Sequence, residues 1–273
     1  MRRIALIIEY DGTDYVGWQV QPNGISVQEA LDDAFEKLIG ERPVLHASGR
    51  TDSGVHARAQ VAHFDTECRI PADKFCYALN SRLPADIRVK ASLEVPGDFH
   101  ARYCVKEKHY VYTVDNAPHA SAFTRNTALH VHYPLDLDRL NEAAKLFIGT
   151  HDFNAFRSSG ITPASTERTV FVSEWAKEGS LLKYHVAGSG FLYNMVRIMT
   201  GTMLRIGQGF DEPEVIADAL EHAERSYAGD TAPAHGLMLW RVKYDLFDTE
   251  DLIGGCGPLF VQNTCANASN DVK

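Results

Sequence analysis

Gly49-Arg50-Thr51-Asp52-Ser53-Gly54-Val55-His56-Ala57 is the stretch on which the reading of this chain turns. The apolar run Val44-Leu45-His46-Ala47 precedes it and reads as a strand. Gln60-Val61-Ala62-His63-Phe64 follows with strand-like alternation. Two glycines bracket Arg50, Thr51, Asp52 and Ser53, and glycine lets a backbone turn sharply or approach a ligand closely. The loop can therefore present Arg50 and Asp52 at the rim of a sheet. Gly-rich polar loops between strands are usually plain turns, and on pattern alone that reading is the commoner one. A phosphate cradle is excluded, because the P-loop needs Gly-Lys-Ser/Thr opening a helix, whereas Gly54 is followed by Val55-His56 and a strand.

Length and composition set the outer limits. A chain of 273 residues suits one large or two small domains, and 45% hydrophobic with 23% charged residues is ordinary globular protein. No apolar run reaches the ~18 residues a membrane span needs. The run Ile4 to Ile8 behind Arg2-Arg3 is too short for a signal peptide, so a cytoplasmic address is expected. The five cysteines Cys68, Cys76, Cys104, Cys256 and Cys265 show no metal-binding spacing. They read as reduced thiols, and no metal site is expected. The net charge of −9 argues against a nucleic-acid partner. The charge is uneven, however: residues 245–273 carry −4 of it. A local basic surface is what holds RNA, because phosphate contacts are short-ranged in salt.

Periodicity supplies the elements. Ile4, Leu6 and Ile8 alternate as a strand. Ser26 and Glu29 form a capping box for a helix with Val27, Leu31, Ala34, Phe35 and Leu38 on its buried stripe, ended by Gly40. A shorter helix runs from Pro71 to Asn80, and a strand begins at Ile87. In the second half, an extended Lys106-to-Val114 would put Lys106, Lys108, Tyr110 and Tyr112 on one face. Such a face suits a nucleotide, and equally a strand with snorkelling lysines and core tyrosines. Leu137, Leu140, Ala144, Phe147 and Ile148 predict a helix closed by Gly149. Residues 151–157 read as a loop anchored by phenylalanines. Strands follow near 168–175 and 181–186. Gly188-Ser189-Gly190 introduces a long helix to about Arg205. Its methionines form a core stripe, while Gly190, Asn194, Arg197, Gly201 and Arg205 share another face. Small residues there would allow close approach of a second element. The pattern is two related α+β units: residues 1–100 with the central loop, 101–245, and a tail, 246–273, expected to be mobile.

The central nonapeptide resembles the active-site motif of the tRNA pseudouridine synthase A family. Four further segments carry the likeness: Glu9-Tyr10-Asp11-Gly12-Thr13 with Gly17-Trp18-Gln19, Ser26 to Leu31, Phe191 to Arg197, and Ala232 to Leu237. It spans about residues 3 to 245, with Asn194 where His is expected in many members. The resemblance implies two ferredoxin-like halves whose antiparallel sheets join around a central catalytic cleft. It also implies a homodimer acting on the anticodon stem-loop of tRNA, with Asp52 as nucleophile and Arg197 beside it. Tyr110 would stack on the target base and could take the C5 proton, and Arg50 would fill the vacated stack or hold a phosphate.

Converting uridine to pseudouridine breaks N1–C1′ and joins C5 to C1′. It is an isomerisation, so no cofactor is expected. The chemistry needs an ionised, positioned, partly desolvated carboxylate. The sequence leaves open whether that carboxylate attacks base C6 or acts at ribose C1′. An arginine would keep it charged by lowering its pKa against desolvation. Two rival classes are a silent RNA-binding protein, which would have lost a charged group, and an Asp-dependent nucleosidase, which would release free base.

Overall fold

The computed structural model describes residues 1–160 and 163–254. The first half runs β1 (Arg2–Tyr10), α1 (Val27–Ile39), β2 (His46–Ala47), β3 (His56–Thr66), α2 (Phe75–Asn80) and β4 (Ile87–Val95). The second runs β5 (Val105–Asp115), β6 (Leu129–His130), α3 (Leu137–Lys145), β7 (Gly149–Asp152), β8 (Glu167–Glu178), β9 (Leu181–Gly188), α4 (Met195–Gly207), α5 (Glu214–His222) and β10 (Leu237–Tyr244). Helix α6 (Thr249–Gly254) follows.

The chain is α+β, and its strands form one continuous sheet in the order β4-β1-β3-β10-β5-β9-β8-β7, with β2 on β3 and β6 on β5. The sheets of the two halves join here, with hydrogen bonds crossing the joint. Pairing is antiparallel except at β5–β6 and at that joint, where β3 and β10 run parallel, His56 opposite Met238 and Ala57 opposite Leu239. The outer edge of β3 is shared, since β2 covers Ala62 and His63 while β10 takes His56 and Ala57. Because His56 directly follows the central loop, the loop opens at the seam between the halves.

The core explains the elements. Ile4, Ala5, Leu6, Ile7 and Ile8 are all sealed, so β1 is buried on both faces rather than on the single face its alternation suggests. Ser26 accepts from the Glu29 amide and Glu29 reaches back, so the capping box forms; Gly40 closes α1 at φ 77°, a left-handed turn that glycine adopts without strain. The apolar face of α1 lies on the sheet through Phe35, edge-on to Phe64 at 4.7 Å between centroids. Truncating such a ring typically costs ~3–5 kcal/mol.

Several boundaries differ from the sequence expectation. The run before the central loop is a strand only at His46–Ala47, with Val44 exposed. Helix α3 stops at Lys145; Phe147 still reaches the core, but Ile148 does not. Residues 149–152 are an edge strand rather than loop, while Phe153 and Phe156 are buried as expected. Helix α4 begins at Met195, not near Gly190, because Asn194 sits at φ 60° and breaks the path into it. The stretch expected to be a mobile tail opens as structure. Phe247 and Thr249 are buried, the Thr249 hydroxyl accepts from the Val242 amide at 2.9 Å, and Arg58 pairs with Glu250. The remainder of that tail lies outside the described residues. Among the described residues no helix is long and apolar enough to cross a membrane.

Candidate active site

The central loop is held from three sides. Its Thr51 hydroxyl bonds to the buried Tyr10 hydroxyl at 2.7 Å, and its Thr51 carbonyl accepts from the Trp18 amide at 3.1 Å. That approach requires Gly17, where a Cβ would lie 2.6 Å from the Thr51 carbonyl oxygen. Gln60, fully buried in β3, accepts from Ser48 Oγ at 2.7 Å and donates to the Gly49 carbonyl at 2.8 Å. His56 takes the Gly12 amide on Nδ1 at 3.0 Å, with the Asn126 and His235 carbonyls on Nε2. Gly54, at φ 77°, completes the turn, and the Val55 amide returns to the Asp52 carbonyl at 3.1 Å. A loop so tied has little freedom to move its carboxylate.

The opposite wall is residues 230–236, laid against α4. Arg197 fixes it twice: its carbonyl accepts from the Ala232 amide at 3.1 Å, and its Nε donates to the Ala232 carbonyl at 2.8 Å. A Cβ on Gly201 would lie 1.8 Å from the Asp230 carbonyl oxygen, so only glycine permits this contact. The small-residue face of α4 therefore does serve close approach, with Gly190 standing outside the helix.

Asp52 and Arg197 meet across the seam. Arg197 Nη1 lies 3.3 Å from Asp52 Oδ2, and both side chains are mostly buried, 17% and 25% exposed. The same Nη1 donates to Asn194 Oδ1 at 2.8 Å, and Asn194 Nδ2 donates onward to Ser158 Oγ at 2.8 Å. Burial raises the Asp52 pKa, and the Arg197 charge and hydrogen bond oppose that rise without cancelling it. The expectation that arginine lowers the pKa thus holds for its own contribution; desolvation is the larger one.

Tyr110, on β5, closes the site. It is 8% exposed and packs edge-on to Phe191, with centroids 5.3 Å apart. Its hydroxyl has no hydrogen bond among the described residues, unlike those of Tyr10, Tyr112, Tyr184 and Tyr244. Burial and the nearby Tyr10 and Asp52 push its phenol pKa up, so it stays protonated. The rest of the expected basic and aromatic face does not form a platform. Tyr112 is sealed, with its hydroxyl on the Pro233 carbonyl at 2.8 Å; Lys106 pairs with Asp245; Lys108 turns inward to the Ser48 carbonyl. Core packing claims Tyr112 and draws Lys108 inward because β5 lies in the middle of the sheet, whereas Lys106 stays exposed. Arg50 extends from the loop, exposed and without an ion pair among the described residues.

Sequence reading missed Gln60 and Tyr10 as parts of this site, and named Lys108 and Asn194 without the contacts they make here. A glutamine inside an otherwise apolar strand was the one available signal. Among the described residues no group of three His, Cys, Asp or Glu is placed to hold a metal.

The tRNA pseudouridine synthase family model matches residues 6–104 and 143–245. A tRNA pseudouridine synthase A from Ruminiclostridium cellulolyticum is 48% identical over 245 residues, 89% of this chain and all of that protein. The one from Acetivibrio thermocellus is 48% identical over 244 residues with the same coverage. A chain from a crystal structure of a Cbf5-Nop10-Gar1 complex overlaps 82% of this chain and 60% of its own at 13% identity and a TM-score of 0.34, too weak to carry an argument. With the matched segments holding both Asp52 and Arg197, the chain belongs to the tRNA pseudouridine synthase family.

Proposed function

We propose that this protein isomerises uridine to pseudouridine in the anticodon stem-loop of tRNA, with Asp52 as nucleophile. The observation that carries the reading is the Asp52–Arg197 contact at 3.3 Å, with both side chains mostly buried. A carboxylate there is desolvated enough to be reactive and retains a cation that favours its charged form. In the reaction N1–C1′ breaks, the base turns, C5 bonds to C1′, and the C5 proton leaves as N1 gains one. Tyr110, whose hydroxyl makes no hydrogen bond among the described residues, stacks on the target base; because its phenol stays protonated, it serves the C5 proton only as a relay, its own proton leaving to water as it takes that one. The target nucleotide must leave its stack to reach the carboxylate, and exposed Arg50 fills the gap or holds a phosphate.

The first half follows the chain order strand-helix-strand-strand-helix-strand, and the second follows it with the short strands β6 and β7 and helix α5 added. Their sheet orders are β4-β1-β3-β2 and β10-β5-β9-β8, which supports the ferredoxin-like reading of each. We take the working form to be a cytoplasmic homodimer. Two chains around one tRNA would let local basic surfaces act despite a net charge of −9. Light scattering of the purified protein tests the dimer. The activity is tested with tRNA transcripts labelled with tritium at uridine C5. The expected result is tritium release to water with a mass-neutral product; released uracil would make the protein a nucleosidase, and no turnover would leave it an RNA binder.

A further inference from the structure

Lys108 poses a physical problem. It is part-buried on β5, two residues before Tyr110, and its Nζ donates to the Ser48 carbonyl at 2.7 Å. Gly49 makes room for it: a Cβ there would lie 2.6 Å from the amine. An ammonium has three protons, and this one uses one. The charges of Arg102, from the segment before β5, and Arg168, from β8, disfavour its protonated form, and Lys108 makes no ion pair among the described residues. Arg168 is itself desolvated and spends its protein hydrogen bonds on the Ser165 and Glu167 carbonyls. Three like charges are thus gathered beside the loop that holds Asp52, in a chain whose net charge is −9. An uncompensated buried charge is costly unless a partner arrives. An anion is the partner that fits.

We propose that Lys108, with Arg168 and Arg102 around it, seats a backbone phosphate of the tRNA next to the reacting nucleotide. This rests on tRNA being the substrate. The seat joins two tasks. Lys108 fixes the base of the loop through Ser48, and its remaining protons bind the strand that delivers the nucleotide to Asp52. Burial and the two arginines lower the amine's pKa to about 8. The free protein therefore bears an unfavourable charge at neutral pH and gains stability as pH rises from about 8 towards the ordinary lysine range. Phosphate binding reverses the preference and holds the proton.

The test compares the full-length protein with Lys108→Met and Lys108→Arg. Affinity for an unmodified tRNA transcript is measured across salt and from pH 7 to 9, alongside thermal stability without RNA. Wild-type turnover is scored first, so failure of the synthase reading is seen separately. Expected for Lys108→Met is a roughly tenfold loss of affinity at 0.1 M salt and a salt slope reduced by about one, with stability equal to or above wild type. Wild-type affinity should fall as pH rises past 8, and Lys108→Arg should remove that fall while keeping the slope. Wild-type affinity and slope in Lys108→Met, with lost stability, would make Lys108 a loop clamp only. If Lys108→Met fails to fold, a wild-type affinity that does not change between pH 7 and 9 overturns the proposal by itself.

Discussion

Arg197 Nη1 serves two acceptors at once, Asp52 Oδ2 at 3.3 Å and Asn194 Oδ1 at 2.8 Å, while Nε of the same side chain holds the Ala232 carbonyl. One guanidinium therefore ties the central loop of the first half to the helix and wall of the second. Its planar fork is what makes this possible; a single ammonium cannot occupy the same three directions.

From that contact follows the pH dependence of an Arg197→Met variant. Burial already raises the Asp52 pKa, and Arg197 is the group opposing it. Removing the cation raises the pKa further. Catalysis needs the ionised carboxylate, so the acid limb of the rate profile moves to higher pH. Single-turnover rates should fall about tenfold per pH unit below the new limb and recover partly towards pH 9. Arg197→Lys should rescue poorly. A loss of rate equal at every pH would make Arg197 a purely positional residue.

Tyr110 separates stacking from proton transfer. Tyr110→Ala should lose base stacking, about 1–3 kcal/mol of substrate interaction, together with the support its ring gives Phe191. Tyr110→Phe keeps both. A tRNA affinity near wild type with a collapsed turnover in Tyr110→Phe assigns the free hydroxyl to the chemistry; full activity in both variants would remove Tyr110 from the site.

Gly201→Ala should behave against helix propensity. In an unobstructed helix the change gains about 1 kcal/mol. Here the new methyl would meet the Asp230 carbonyl oxygen at 1.8 Å. Backbone cannot yield as a flexible side chain does, so a net loss of about 2–3 kcal/mol is expected. Thermal melting measures it, and turnover should fall with it because Ala232, Arg197's partner, is displaced.

Asp52 itself is expected to cost stability. Its folded-state pKa is raised, so it favours the fold while protonated and that contribution is lost as pH rises through the folded pKa. At pH 7 Asp52→Asn should melt at the same temperature as wild type or higher. The gap should close as pH falls below the ordinary carboxylate range. A lower melting temperature at pH 7 would mean that the Arg197 pairing outweighs desolvation.

Much of this is legible in the sequence. The capping box of α1, the alternation of β1 and β5, and the glycine-bracketed loop are local signals, and each became the expected element. What escaped were features set by distant chain. Lys108 and Tyr112 alternate with Tyr110 on β5 as a nucleotide platform would, yet the Ser48 and Pro233 carbonyls claim their polar ends. The late start of α4 depends on one left-handed residue, Asn194, whose side chain is held by Arg197 and Ser158. The parallel seam between β3 and β10 joins residues far apart in sequence, and no local pattern announces it. The pairing of Asp52 with Arg197 came from family resemblance; helical spacing alone placed Arg197 only on a face of small residues.

The central claim is that the Asp52 carboxylate does the chemistry. Asp52→Asn is nearly isosteric and keeps a hydrogen-bond acceptor towards Arg197, so fold and tRNA affinity should stay close to wild type. Single-turnover tritium release from C5-labelled tRNA is the measurement. With Asp52 as the nucleophile, no pseudouridine above background is expected at wild-type affinity; release within about tenfold of wild type, well short of the ~10²–10⁴-fold typical of a lost catalytic group, would contradict that role.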